Sequence, residues 1–207
     1  MGKRVTISHF LKCLKDTHNL NGPFLVITSK QKLAHWESLF VKLGSLKPLV
    51  YHDEDLGEGM ESLRRWCCYY MDVTVKGNLT TRNCLFKFDV LITTAEVVNN
   101  EEDPFLRKVP FLQVIVDDAH LKRNREATKR IACKRIICST SNPMPDSIVD
   151  ILQLVRTVDP FAVHRSIVKK LPREITSFDQ LKLMWNLVNP YTSKCFQSDV
   201  ETLFGKL

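Results

Sequence analysis

The sequence predicts an α/β fold built around a parallel β-sheet whose strands are buried on both faces. Three apolar runs rich in β-branched residues carry this prediction: 24–28 (FLVIT), 88–93 (FDVLIT) and 112–116 (LQVIV). Segments with helical spacing of apolar residues separate the runs, as expected where helices connect parallel strands. Polar side chains follow the runs, at the edge where open α/β sheets bind their ligands.

The segments before and after the first strand are predicted to be helical. Residues 5–15 and 30–43 both repeat apolar residues every three or four positions, and Ser29 is a residue type that caps helices. Their apolar faces consist of Val5, Phe10, Leu11 and Leu14 in the first helix and Leu33, Trp36, Leu39, Phe40 and Leu43 in the second. A further strand at 48–52 completes a parallel strand–helix–strand unit.

The rest of the chain has a less regular pattern. An acidic segment, 53–61, predicts a loop or a helix start, and 75–83 a loop or an irregular hairpin. Between them, a helix is predicted through Leu63, Trp66, Cys67, Tyr70 and Met71. Later residues predict a strand at 134–139 and helices at 147–155 and 178–188. We expect one domain over 1–160 and a small helical extension over 161–207, with Trp36, Trp66 and Trp185 packed in the core.

Composition excludes several classes of protein. The 207 residues are 26% charged and 44% hydrophobic, which is typical of a globular domain. No stretch reaches the ~18 apolar residues of a membrane span, and the N-terminus lacks the apolar core of a signal peptide. Seven cysteines form neither a CxxC pair nor a zinc-binding spacing. These observations favour a soluble intracellular protein with reduced thiols.

The net charge of +7 is unevenly distributed, with an acidic middle and basic flanks. The densest basic cluster consists of Lys122, Arg123, Arg125, Lys129, Arg130, Lys134 and Arg135. Such a cluster attracts a polyanion such as nucleic acid, with an affinity that falls as salt is added. A solvated helix face is the other interpretation of the same residues.

Asp117, Asp118 and His120 follow the third apolar run directly. Paired carboxylates beyond the end of a parallel strand are suited to hold a nucleotide-bound Mg²⁺ and a water molecule. Taken alone, the same residues also fit a solvated turn that caps the next segment.

Five segments together resemble one family, in the same order along the chain. They are GPFLVI (22–27), FDVLITTAE (88–96), VDDAHLKRN (116–124), the stretch 135–160 and NPYTSKCFQSDVETLFGK (189–206). They are similar to motifs of the first ATPase lobe of the Swi/Snf-type chromatin remodellers, in helicase superfamily two, and above all to its chromodomain-helicase branch. VDDAHLKRN, for example, resembles that family's VDEAHRLKN. The resemblance implies a RecA-like helicase lobe closed by a helical extension.

The resemblance also implies cofactors, partners and site residues. The family uses ATP and Mg²⁺, acts on duplex DNA or nucleosomes together with chromatin proteins, and is nuclear rather than membrane-bound. Gly2 and Lys3 stand at the phosphate-binding motif I, Asp117 at the metal ligand, and Asp118 with His120 at the catalytic DEAH-type box. The family's DNA-facing motifs fall on Ser29, Lys30, Thr93, Thr94, Glu96, Lys122, Arg123 and Asn124. For the two threonines, a helix cap is the structural alternative.

Three departures from the family pattern concern catalysis. Arg4 replaces the hydroxyl of GxGKT, which contacts Mg²⁺, and the glycines and strand before it are absent. Asp118 replaces the family's Glu with a carboxylate one methylene shorter, and Ser141 replaces the Gly of TGTPLQN. The resemblance covers the first lobe and not the second, which supplies the arginine fingers in this family. We therefore expect a degenerate or truncated lobe without independent ATPase activity, acting as a chromatin-associated DNA- or protein-binding module.

Two alternatives to this expectation belong to other functional classes. In the first, the chain is a fragment or isoform of an active ATP-dependent remodeller, a DNA translocase whose motif I and second lobe lie elsewhere. In the second, it is a pure interaction protein that docks a partner where the second lobe would sit. Flanking sequence that restores GxGKT would favour the first, and a large exposed apolar patch the second.

Overall fold

The computed structural model describes residues 2–52, 69–73, 79–100, 105–133, 135–141, 148–161 and 178–192. They belong to two compact units, residues 1–142 and 143–207, and each unit is described by itself. None of the described helices is long and apolar enough to cross a membrane.

The first unit alternates strands and helices, as the apolar runs predict. Its elements are α1 (Lys3–His18), β1 (Phe24–Thr28), a 3₁₀ turn (Lys30–Lys32), α2 (Leu33–Leu43), β2 (Pro48–Val50), β3 (Tyr69–Val73), β4 (Leu79–Phe86), β5 (Val90–Thr94), α3 (Ala95–Asn99), α4 (Phe105–Lys108), β6 (Gln113–Val116), α5 (Lys122–Thr128) and β7 (Ile136–Cys138). The described part of the second unit contains α6 (Ile148–Val158), α7 (Phe178–Val188) and a 3₁₀ turn (Asn189–Tyr191).

Five of these strands form one parallel sheet in the order β2-β5-β1-β6-β7. The central strand β1 pairs with β5 on one side and β6 on the other, so Phe24 lies opposite both Val90 and Gln113. Every residue of β1, β5 and β6 is buried, which explains their apolar sequences. The predicted parallel α/β sheet is therefore confirmed, and the carboxyl ends of all five strands share one edge.

The core lies between helices α1 and α2 and one face of the sheet, to which alternate residues of the strands contribute. The core cluster comprises Ile7, Leu11, Phe24, Val26, Leu33, Trp36, Phe40, Leu46, Val90, Ile92 and Ile115. Trp36 and Phe40 stack with ring centroids 5.9 Å apart. Because both helices pack on the sheet through these residues, the amino end of α1 is held beside the carboxyl ends of β1 and β6.

The buried face of α1 and the start of α2 differ from the sequence prediction, whereas the predicted apolar face of α2 is confirmed by the burial of Leu33, Trp36 and Phe40. Val5 and Phe10 are 45% and 43% exposed, whereas Ile7, Ser8 and Leu11 form the buried stripe of α1. Ser29 makes no side-chain capping bond, because a 3₁₀ turn precedes the first residue of α2. Apolar spacing identified both helices, but in α1 it did not distinguish the buried stripe from the adjacent one.

Two further sequence predictions are wrong. Tyr70 and Met71 lie in β3, not in a helix, and β3 pairs antiparallel with β4; aromatic residues favour strands when a partner strand is available. This agrees with the hairpin interpretation of 75–83, although Leu63, Trp66 and Cys67 lie outside the described residues. Trp36 is fully buried as predicted, but Trp185 is 37% exposed.

Candidate functional site

Asp117, the first residue after β6, receives hydrogen bonds from several elements at this edge of the sheet. The residue is 2% exposed. Its Oδ2 accepts hydrogen bonds from Arg4 Nε at 2.9 Å, Trp36 Nε1 at 3.0 Å and Thr28 Oγ1 at 3.2 Å. Helix α1, strand β1 and helix α2 thus all contribute a donor to one carboxylate oxygen.

These partners keep Asp117 ionised despite its burial. Burial by itself raises the pKa of a carboxyl, but hydrogen bonds from Trp36 and Arg4 and the positive charges of Arg4 and Lys32 act in the opposite direction. Their combined effect outweighs burial, so the pKa of Asp117 lies below its ordinary value of 3.8. At neutral pH the site therefore contains a buried carboxylate paired with a guanidinium.

Asp118 has an unusual backbone conformation and a lysine partner. Its φ is +50°, in the left-handed region, where Asp and Asn are tolerated better than longer side chains. Its backbone N–H donates to Asp117 Oδ1 at 3.1 Å, and its carboxylate forms an ion pair with Lys32. The Asp found here in place of the family's Glu is thus compatible with the turn that it occupies.

Helix α5 fixes the backbone of the DDAH segment (Asp117–His120). Asn124 Nδ2 donates to the carbonyl of Asp117 at 2.9 Å. Arg125 donates from one terminal nitrogen to the carbonyls of Ala119 and His120, at 2.8 and 2.7 Å. Arg125 is only 4% exposed, so its predicted place in a polyanion-binding surface is wrong. Its charge instead stabilises the loop from within.

His120 takes part in a contact to the segment that follows β7. Its Nδ1 lies 3.2 Å from Thr140 Oγ1. This contact joins the DDAH segment to the stretch that resembles TGTPLQN. His120 does not line the cavity described next, so the structure does not bring it together with Gly2 and Lys3.

A cavity of about 240 Å³ opens between the amino end of α1 and the DDAH segment. Its lining residues are Gly2, Lys3, Arg4, Val5, Lys32, His35, Asp117, Asp118 and Ser141. The structure therefore brings together the sequence-predicted residues Gly2, Lys3, Asp117 and Asp118. It also adds Lys32 and His35, which the sequence analysis did not connect with this site.

The predicted nucleic-acid residues fall into an exposed and a buried group. Lys122, Arg123 and Glu96 have side chains that are 76%, 58% and 56% exposed, and Arg123 pairs with Glu96 at 2.9 Å. Lys30 is exposed and Ser29 partly exposed after β1. Because these residues follow parallel strands, they lie along the same edge of the sheet.

Thr93, Thr94 and Asn124 are buried, and their side chains have partners inside the unit. Thr93 Oγ1 donates to the carbonyl of Tyr51 at 2.7 Å. Thr94 is the N-cap of α3 and accepts from the N–H of Val97 at 3.5 Å, so the capping alternative holds for it. That these three residues contact DNA stays a prediction.

The open parallel sheet, with its charged cavity at the carboxyl edge, places the first unit in the class of α/β lobes that bind ligands at that edge. A family model described as the SNF2-related domain matches residues 1–205. The chain belongs to this family, which confirms the resemblance stated from the motifs.

Relatives and solved structures support the same assignment. The chain is 26% identical over 97% of its length to chromodomain-helicase-DNA-binding protein 6 of Mus musculus and 26% to protein 8 of Xenopus tropicalis. It spans only 7% and 9% of the length of these relatives. It superposes with a TM-score of 0.68 on the Sulfolobus solfataricus SWI2/SNF2 ATPase core in complex with dsDNA, at 17% identity, covering 99% of this chain and 40% of that one. The structural match shows the fold.

As arranged here, the cavity does not fit the ATP-bound Mg²⁺ that the family implies. Mg²⁺ requires oxygen ligands in a nearly octahedral shell. Asp117 Oδ2 is already occupied by three donors, and Arg4 and Lys32 place positive charge beside both carboxylates. At the position of the family's metal-binding hydroxyl, Arg4 offers a cation instead of an oxygen.

Sequence reasoning missed every ion pair of this site. Arg4 and Asp117 are 113 positions apart, and Lys32 and Asp118 are 86 apart. The one available signal was Arg4 itself, a cation at the position of a family hydroxyl. A carboxylate at the position of the family's metal ligand is expected to pair with such a cation when the two lie close together.

Proposed function

We propose that this chain is an SNF2-type helicase lobe without ATPase activity of its own, which serves as a nuclear, chromatin-associated module that binds DNA or protein. The observation that carries the proposal is the state of Asp117. Its carboxylate is held by Arg4, Trp36 and Thr28, and is therefore not available to a metal-bound nucleotide.

Two further observations support the loss of hydrolysis. The Asp118 carboxylate is paired with Lys32 and is one methylene shorter than the family's Glu. A misplacement of ~1 Å in a catalytic group costs on the order of a hundredfold in rate. Fold membership is unaffected by these changes, because they lie at the edge of the sheet and not in its core.

Binding to duplex DNA is supported by the charge of the exposed edge. Lys122 and Arg123 project from the first turn of α5, and Lys30 follows the neighbouring strand β1. Such side chains contact phosphates and give binding with little sequence preference. The Sulfolobus solfataricus SWI2/SNF2 ATPase core, which has a similar fold, was solved in complex with dsDNA, and this supports the proposal of DNA binding.

The first test is calorimetric titration with a non-hydrolysable ATP analogue and Mg²⁺, with and without duplex DNA, at two salt concentrations. We expect no nucleotide binding and DNA binding that weakens as salt increases. Micromolar binding of the analogue that is lost in Lys3→Ala would show that motif I still operates, and would overturn the proposal.

The DNA surface is tested by replacing Lys122 and Arg123 with Ala. Loss of two phosphate contacts should weaken binding and reduce the slope of log affinity against log salt by about 2. The matched control replaces Lys129 and Arg130 with Ala. These two residues are exposed just beyond the carboxyl end of α5, and their replacement removes the same charge. Equal effects of the two double variants would mean that the chain responds only to net charge.

One observation favours a second candidate function. Since the chain corresponds to only 7% to 9% of its relatives, it fits one lobe of a larger ATP-dependent DNA translocase. In that case hydrolysis belongs to a longer polypeptide that supplies the remaining motifs. Full-length transcripts from the same locus, sequenced for a GxGKT motif and a second lobe, would decide between the two.

A further inference from the structure

We propose that Arg4 is the resident cation of the Asp117 site: its guanidinium takes the place of a divalent metal ion and, of the two cations beside the carboxylates, Arg4 is the one that closes the site to metal. The inference rests on the proposed function, because it identifies the residue that keeps the lobe from holding a metal-bound nucleotide. It also makes a claim of its own, namely that metal binding can be restored by one substitution.

The contacts of Arg4 have the properties that this role requires. Its Nε lies 2.9 Å from Asp117 Oδ2, and the Arg4 side chain is 28% exposed while that of Asp117 is 3% exposed. Arg4 is therefore the more solvent-exposed partner of the pair, and both residues line the cavity. Its guanidinium places a positive charge against the carboxylate without a metal.

Removing Arg4 would leave a site with suitable chemistry for a hard cation. The Asp117 carboxylate would face the cavity of about 240 Å³, which has room for a hydrated ion. A threonine at position 4 would add a hydroxyl oxygen, and oxygen is the ligand type that Mg²⁺ and Mn²⁺ prefer. Trp36 and Thr28 would continue to orient the carboxylate through their own bonds.

The test measures binding of Mn²⁺ alone to the purified chain, by the free-ion signal in electron paramagnetic resonance. Wild type, Arg4→Thr and the double variant Arg4→Thr with Asp117→Asn are compared. We expect Arg4→Thr to bind Mn²⁺ at least on the order of tenfold more tightly than wild type. The added Asp117→Asn substitution should abolish this gain.

A matched control is available on the same helix. Lys15 pairs with Asp89 at 2.8 Å, and their side chains are 24% and 16% exposed. Lys15→Thr removes one positive charge and one part-buried ion pair from α1, as Arg4→Thr does, but leaves Asp117 untouched. It should gain no Mn²⁺ site, and a gain equal to that of Arg4→Thr would overturn the inference.

A second readout does not depend on counting ions. Mn²⁺ should raise the melting temperature of Arg4→Thr but not of wild type, because a ligand stabilises the state that binds it. It should also quench the fluorescence of Trp36, whose indole is bonded to Asp117, and Trp36→Phe should remove this quenching. Arg4→Ser, with the same hydroxyl, is measured in parallel in case the threonine variant does not melt cooperatively.

Two further results would overturn the inference. One is a folded Arg4→Thr or Arg4→Ser protein that binds Mn²⁺ no more tightly than wild type. The other is wild-type binding of Mn²⁺ that Asp117→Asn removes. ATP hydrolysis by the wild-type chain would instead overturn the proposed function, so the two failures are distinguishable.

Discussion

At the scale of single residues, the stability of this protein depends on buried charged side chains that each have several partners. Asp117 and Arg125 are 2% and 4% exposed, and each has several partners. Breaking a buried charged network costs more than breaking an exposed one, because water does not replace the lost partner. These two residues therefore provide the sharpest stability tests.

Replacing Asp117 with Asn should destabilise the protein by about 1 to 3 kcal/mol at pH 7, because Arg4 loses its charged partner. Since the pKa of Asp117 in the folded state lies below its ordinary value of 3.8, its contribution is present above about pH 4 and is lost as the pH falls through the folded pKa. Urea denaturation at pH 7, 5 and 3 measures both effects. The difference between wild type and variant should shrink at pH 3.

The control for this prediction is Asp16→Asn, which changes an exposed carboxylate of α1. Its effect should stay within about 0.5 kcal/mol at each pH. A stability gap between wild type and Asp117→Asn that is constant across the pH range would contradict the assigned role of the Asp117 charge.

Replacing Arg125 with Ala should lower the free energy of unfolding by about 2 to 4 kcal/mol, because the carbonyls of Ala119 and His120 lose a charged donor. The neighbouring Arg123→Ala, which removes an exposed pair with Glu96, should cost less than about 1 kcal/mol. Chemical denaturation of the two variants gives the comparison. Similar losses would mean that Arg125 does not hold the DDAH segment.

At the scale of elements, the sequence predicts features that depend on one segment alone, but not features that depend on contacts between separate segments. β1, β5 and β6 were predictable because a strand buried on both faces is mostly apolar along its length. The 3₁₀ turn before α2 and the antiparallel β3–β4 pair were not, since each depends on contacts outside its own segment. The ion pairs of the site join different elements, so no local pattern could contain them.

Gly22, in the turn that leads into β1, has a backbone conformation that favours glycine. Gly22 has φ +81°, and a Cβ there would lie 2.8 Å from the carbonyl oxygen of Asp89. Gly22→Ala should cost about 3 kcal/mol, because it combines left-handed strain with a clash against backbone. Gly44 has φ +72° and nothing within 4 Å of the same position, so Gly44→Ala should cost only about 1 to 2 kcal/mol. Thermal melting of both variants tests this prediction. A larger loss of stability for Gly44→Ala than for Gly22→Ala would contradict it.

At the scale of the whole molecule, the cavity and the exposed basic edge are connected through one short segment. The DDAH segment lines the cavity with its carboxylates and is followed at once by α5, which presents Lys122 and Arg123. In a lobe that binds a metal-nucleotide complex, a change at the carboxylates would be transmitted to α5. Here Arg4, Lys32, Asn124 and Arg125 fix the segment from within the protein.

Under the proposed function, DNA binding by this chain should therefore be insensitive to nucleotide. Fluorescence anisotropy with a short labelled duplex should give the same dissociation constant with and without ATP and Mg²⁺, because a ligand shifts an equilibrium only through a difference in its own affinity for the two states. A change of about fivefold or more would lie in the usual range of coupling between sites. If this nucleotide effect vanished in Asp117→Asn, the Asp117 carboxylate would still be coupled to α5. The internal ion pairs would then be a resting state that nucleotide displaces.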